Sequence, residues 1–118
     1  GPVKHLRTDF LFNLENVSAL NLVQQLHPTP AVSGLPKAGA IELIDKTEKH
    51  ERSLYTGVIG LLGEETTNLF VNLRCCQLIE GSAYLYLGGG FTIDSIPASE
   101  WEETENKSQT LLNIFQKL

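Results

Sequence analysis

The stretch EWEETENK (100–107) packs four carboxylates, a tryptophan and a lysine just ahead of the apolar run LLNIF (111–115). The plain reading of such a run is a solvated acidic face. On a helix turning about 100° per residue, however, Glu100, Glu103 and Lys107 share a stripe with Leu111, Ile114 and Leu118. Glu102 and Glu105 lie on the opposite side, with Gln109, and fit the solvated reading. The apolar stripe is the one a helix buries. Carboxylates turned that way need a partner. A lysine one turn on neutralises one of them, and a divalent cation would neutralise both. An oxygen-rich site that leaves room for water suits Mg²⁺. The competing reading is an ion-pair cluster at a helix start, where acids are also favoured by the helix dipole. A second feature is the run Gly88-Gly89-Gly90. Backbone N–H groups there can approach an anion unobstructed, although a flexible strand end gives the same sequence.

These residues sit in a chain of 118, the size of one domain or a piece of one. Apolar content is 42% and charged content 19%, as in ordinary globular proteins with a modest core. Net charge is −5, and no basic run or basic–aromatic interleaving occurs, so nucleic acid has little to bind. No apolar stretch approaches the ~18–20 residues of a membrane span. The first residues lack the basic-then-apolar order of a signal peptide. Cys75 and Cys76 are neighbours. On a strand they point to opposite faces, so no bridge is expected, which points to a reducing cytoplasm.

The elements that must position the candidate residues follow from period and punctuation. VKHLRTDFLFNL (3–14) alternates and reads as a strand. SALNLVQQL (18–26) has helical spacing, with Ser18 as cap. HPTPAVSGLP (27–36) carries too many breakers for a helix, and 36–51 reads as a helix with Pro36 in its first turn. Three strands follow at 53–63, 68–79 and 82–93, with turns at Gly63-Glu64-Glu65 and Glu80-Gly81. Ser95-Ile96-Pro97 then opens a helix running to about Leu118. The expected fold class is α+β, an antiparallel sheet with helices packed on it.

HPTPAVSGLPK (27–37), LYTGVIG (54–60), NLRCCQLIEGSAYLYLGGG (72–90) and SIPASEWEETENK (95–107) resemble, in order and spacing, the C-terminal half of the chorismate-utilising enzymes. VKHLRTDF (3–10) is similar to the strand that precedes these motifs, so the resemblance covers nearly the whole chain. It implies that residues 1–118 are the C-terminal portion of a chorismate-binding domain of the anthranilate synthase component I-like fold. Within the family, HPTPAVSGLP looks most like isochorismate synthases. Salicylate synthases tend to have threonine at the place of Ala31, and anthranilate-type enzymes a related Pro-Ala-Gly-Thr-Leu-Ser-Gly. These two are the alternatives, the second including aminodeoxychorismate synthases.

The resemblance implies an Mg²⁺-dependent isomerase in which water attacks C2 of chorismate as the C4 hydroxyl leaves. It makes Glu103 a direct Mg²⁺ ligand and Glu100 a water-mediated one. It makes Arg74 the group that grips the pyruvyl carboxylate, a forked target that suits a guanidinium. Lys107 would contact a carboxylate or metal-bound water at the mouth of the site. Gly88 and Gly90 would line the substrate carboxylate, Tyr55 and Leu73 the pyruvyl arm, and Ala31 the ring. His5 matches a histidine near the active site. Without the family, Arg74 reads as an edge-strand arginine, Lys107 as an ion-pair partner, and Tyr55, Leu73 and Ala31 as packing. No residue here matches the family's lysine base, its general-acid glutamate or its other metal glutamate. The expected consequence is a fragment inactive by itself, with uncovered sheet edges that drive self-association. Isochorismate serves both menaquinone and siderophore synthesis. Two other readings stand beside the enzyme: a small binding module for an anion or partner protein, and a structural domain whose Glu100/Glu103/Lys107 group is an internal ion network.

Overall fold

Ser18 starts the first helix as its spacing predicts. In the computed structural model, which describes residues 7–13 and 15–116, its Oγ accepts the Asn21 N–H at 3.2 Å and opens α1 (Ala19–Leu26). The proline-rich loop departs from expectation. It contains one helical turn, α2 (Pro30–Ser33), because Pro30 stands at the first helical position, where a missing N–H costs nothing. Gly34 ends that turn at φ 97°, a left-handed conformation that suits glycine. α3 (Lys37–Thr47) starts after Pro36, and α2 packs against it. It stops at Thr47, short of the expected residue 51.

The strand region is the main correction. Instead of three strands there are four, in two separate antiparallel hairpins. β1 (Val58–Leu62) pairs with β2 (Thr67–Val71), from Val58 opposite Val71 to Leu62 opposite Thr67. β3 (Cys75–Ile79) pairs with β4 (Ser82–Tyr86), from Cys75 opposite Tyr86 to Ile79 opposite Ser82. The run 68–79 breaks at Asn72–Arg74, where Arg74 adopts φ 50° and so leaves the extended region. Arg74 is therefore not an edge-strand residue but the pivot between the hairpins. Glu80 and Gly81 both have positive φ, as a two-residue hairpin turn requires. The third expected strand ends at Tyr86, and 87–96 is irregular.

Residues 7–13 form no strand, since alternation alone does not make one without a hydrogen-bonded neighbour. His5 and Leu118 lie outside the described residues, as does the remainder of the expected 3–14 strand at 3–6 and Leu14. α4 (Pro97–Phe115) begins with Pro97 at its first position, as read from the sequence. Helices and small antiparallel sheets together make an α+β chain. Cys75 and Cys76 are both free thiols on β3.

No hydrophobic side chain among the described residues is buried, contrary to the modest core expected. Leu11, Leu61, Phe70 and Leu78 all stand exposed, on or beside the elements that would form a core. The Cα radius of gyration is 16.7 Å, where a self-contained domain of this length has about 13.5 Å. The chain thus holds its elements in place by turns, caps and polar ties more than by apolar burial.

Candidate functional site

Those polar ties converge on one cleft of about 530 Å³ between the proline-rich loop, the turn after α3, the glycine run and α4. Ala31, Tyr55, Leu73, Gly88, Gly90, Glu100 and Lys107 all line it. Seven residues singled out from sequence, spread over 77 positions from 31 to 107, therefore share one concave surface. Arg74 and Glu103 stand outside the lining, the first next to Leu73 in sequence and the second paired with Lys107, both of which are within it.

On α4 the inward stripe is Glu100, Thr104, Lys107 and Leu111, each half-buried. Glu103 lies at the edge of that stripe, its side chain 58% exposed. The expectation that both acids turn inward is thus met by Glu100 and only partly by Glu103. Lys107, 23% exposed, explains the difference. It reaches from the inner stripe and donates to Glu103 Oε1 at 2.6 Å, while also donating to the Gly88 carbonyl at 3.3 Å. This hydrogen bond and the lysine's charge hold the Glu103 carboxyl below its ordinary value, with the Arg74 charge adding in the same direction. Glu100 and Lys107 thus line the cleft, Glu103 is tied to it through Lys107, and the Arg74 charge is felt at Glu103.

Glu100 is fixed by a different device. The Thr92 N–H donates to Ser95 Oγ at 3.0 Å, and Ser95 Oγ donates to Glu100 Oε1 at 2.7 Å. Its other oxygen, Oε2, faces Gly89. Thr104 Oγ donates back to the Glu100 carbonyl at 3.1 Å, a bond within the helix.

Tyr55 also borders the glycine run, and its phenol pKa is raised by burial. A Cβ added to Gly88 would lie 2.6 Å from the Tyr55 hydroxyl oxygen, so only glycine lets the ring occupy this wall. The turn bearing Tyr55 is tied to the hairpin pivot by Asn72. The Thr56 N–H donates to the Asn72 carbonyl at 2.8 Å, and the Asn72 N–H to the Gly57 carbonyl at 2.8 Å. The Asn72 side chain donates to the Leu54 carbonyl at 2.9 Å. Thr56 itself has φ 62°, uncommon for a β-branched residue and worth roughly 1–3 kcal/mol of strain. Strained backbone thus sits on both sides of Asn72, at Thr56 and Arg74.

Arg52 and Glu48 were not singled out by sequence. Arg52 donates from Nε and Nη2 to the two Glu48 carboxylate oxygens, at 2.8 and 2.6 Å, and from Nη1 to the Val32 carbonyl at 3.1 Å. Its guanidinium carbon lies 5.8 Å from the Tyr55 ring centre. The shared hydrogen bonds lower the Glu48 pKa and raise that of Arg52. The only available signal was the four-residue spacing of an acid and an arginine.

Among the described residues, no three His, Cys, Asp or Glu side chains converge as a metal site. Glu100 and Glu103 are two carboxylates one helical turn apart, and Glu103 is kept ionised by its neighbours. Such a pair fits part of the coordination of Mg²⁺, which typically takes one or two carboxylates and keeps several waters. No helix among the described residues is long and apolar enough to cross a membrane.

The chain is similar to several curated enzymes. It is 38% identical over 113 residues to the isochorismate synthase EntC of Escherichia coli, a match covering 94% of this chain and 29% of that protein. It is 40% identical over 104 residues to the salicylate biosynthesis isochorismate synthase of Pseudomonas aeruginosa, covering 86% of this chain and 22% of the relative. Anthranilate synthase component 1 of Acinetobacter calcoaceticus is 32% identical over 103 residues, with 86% of this chain and 21% of the relative covered. The chain therefore spans under a third of the length of these relatives. Residues 1–116 match the family described as chorismate binding enzyme, and the chain belongs to that family.

Proposed function

We propose that this chain is the C-terminal portion of an isochorismate synthase, and that its cleft holds part of the site for chorismate. The observation that carries the reading is the cleft itself. It sets a half-buried tyrosine, a glycine turn and a half-buried lysine around a space of about 530 Å³, with Glu100 in its lining and Glu103 joined to it through Lys107. A dianionic ring with a hydroxyl and a pyruvyl arm is matched by such a wall. HPTPAVSGLP favours isochorismate synthase over the salicylate and anthranilate-type alternatives.

In this reading Arg74, exposed at the pivot, takes the pyruvyl carboxylate through its forked guanidinium. Tyr55 and Leu73 flank that arm, and Ala31 leaves space for the ring. Backbone N–H groups of Gly88 and Gly90 face the second carboxylate, and Lys107 contributes charge to it. Lys107 already bridges the glycine turn and Glu103, so it is preorganised between substrate and acids. Glu103 directly, and Glu100 through water, are the residues that would hold Mg²⁺. When bound, the ion would clamp the ring carboxylate and draw electron density from the ring. The base that activates water and the acid that protonates the leaving hydroxyl belong to the rest of the protein.

Alone, the chain is expected to be inactive and to self-associate, because large apolar side chains such as Leu11, 98% exposed, lack cover. Light scattering should give a dimer or larger species, and a monomeric mass at high concentration would count against this. The function is tested by incubating the full-length protein with chorismate and Mg²⁺ and identifying the product. Isochorismate supports the reading. Salicylate, or anthranilate formed with ammonia, moves the assignment within the family, and turnover by the 118-residue chain alone refutes its being a partial site.

A further inference from the structure

Two of the substrate-facing positions, Ala31 and Tyr55, lie on separate segments with no hydrophobic core between them to fix their spacing. A single side chain bridges them. Arg52 reaches back 20 residues to the Val32 carbonyl, next to Ala31, and lies against the Tyr55 ring. Its backbone carbonyl also accepts the Tyr55 N–H at 2.8 Å, closing the turn that carries the ring. Glu48 takes the other edge of the guanidinium through two oxygens. The fork is planar and rigid, so its direction is set once both edges are engaged. Arg52 and Glu48 are each more than two-thirds shielded from solvent and also line the cleft.

We infer that Arg52, aimed by Glu48, is a positioning residue that sets the separation of Ala31 and Tyr55 and thereby the width of the cleft where the ring and pyruvyl arm would lie. This rests on the chorismate reading of the cleft. Arg52 does not touch the reacting atoms. It acts through Tyr55 and the Ala31 loop, and its hydrogen bonds among the described residues go to Glu48, Val32 and Thr56, not to Glu103 or Lys107.

The test uses the full-length protein with chorismate and Mg²⁺. Arg52→Met should raise KM for chorismate about tenfold or more while kcat falls by less, as expected when ground-state fit is lost. Arg52→Lys, which keeps charge but not the fork, should give an intermediate KM. Glu48→Gln should raise KM in the same direction and serves, with Arg52→Lys, if Arg52→Met does not fold. The decisive readout is a pair of double-mutant cycles. Arg52→Lys combined with Tyr55→Phe should depart from additivity in KM by about threefold or more, whereas Arg52→Lys with Lys107→Met should be additive. A generic structural role would weaken both cycles alike. Additivity in both cycles, or a KM unchanged in the Arg52 and Glu48 variants, overturns the inference while leaving the chorismate reading standing. A wild-type protein that neither turns over nor binds chorismate by calorimetry overturns both.

Discussion

Two ion pairs share a spacing and almost nothing else. Glu48–Arg52 and Glu103–Lys107 both join residues four apart at 2.6 Å. The second lies wholly on α4, exposed on its acid side, and one lysine hydrogen bond is its main content. The first lies just beyond the end of α3, uses both carboxylate oxygens, and ties the turn after that helix to the proline-rich loop and the Tyr55 ring. An exposed pair within a helix stabilises a fold little. A shielded, bidentate pair that crosses elements holds a shape. One pair is thus built to hold its surroundings, and the other is free to exchange partners. The second pair can therefore be broken with little loss to the fold.

The sharpest way to break this contrast is to remove the charge from Glu103. In the full-length protein, Glu103→Gln should reduce isochorismate formation by about 10²-fold or more, the scale of losing one electrostatic contact to developing charge. Its thermal midpoint should stay close to that of the wild type, since an exposed pair stabilises little. A clear loss of stability, or activity within a few-fold of wild type, would place Glu103 with the structural pair instead.

Gly88 meets both Lys107 and Tyr55, since its carbonyl accepts Lys107 and its α-carbon faces the Tyr55 hydroxyl. Gly88→Ala puts a methyl into that 2.6 Å approach and should displace the ring, raising KM for chorismate about tenfold. Adding Tyr55→Phe removes the colliding oxygen and should recover part of the loss. No recovery would show that the glycine serves its own backbone and not the tyrosine.

Much of this arrangement could be read from the sequence, and the failures have physical causes. Caps and prolines act locally, so Ser18, Pro36 and Pro97 marked their helix starts correctly. The Glu80-Gly81 turn is equally local. The break at Asn72–Arg74 left no such mark. Its apolar pattern runs on, and neither glycine nor proline signals the positive φ that Arg74 adopts. Residues 7–13 failed for the opposite reason, because a strand needs a neighbour and its own pattern cannot supply one. Helical period placed Glu100 and Lys107 inward, but Glu103 sits where a stripe becomes an edge, and a one-residue rotation decides its exposure. Arg52 was missed because its value lies in contacts to residues 20 positions away.

A smaller effect sharpens the structural side. Glu48→Gln leaves one neutral oxygen where Arg52 had a charged two-point partner. It should lower stability by roughly 1–3 kcal/mol, the worth of a hydrogen bond to a charged group. Denaturant unfolding of the full-length protein measures it, and an unchanged midpoint would mean that Arg52 finds another partner.

The smallest effect distinguishes the pairs by pH. The Glu48 carboxyl lies below its ordinary 4.5 chiefly because Arg52 hydrogen-bonds to it. A carboxyl depressed on folding contributes stability that is fully present above its unfolded value and is lost as pH falls through its folded value. Stability should therefore decline below about pH 4.5 in part through Glu48, and Glu48→Gln should flatten that decline. Glu103 is depressed too, through Lys107, so its contribution has the same sign. It is exposed, however, and salt screens such pairs. Repeating the acid titration at high salt should erase the difference between Glu103→Gln and wild type while leaving that of Glu48→Gln. If salt removes both, the two pairs are alike after all, and the wall bearing Tyr55 must owe its shape to Asn72 and the turn it ties instead.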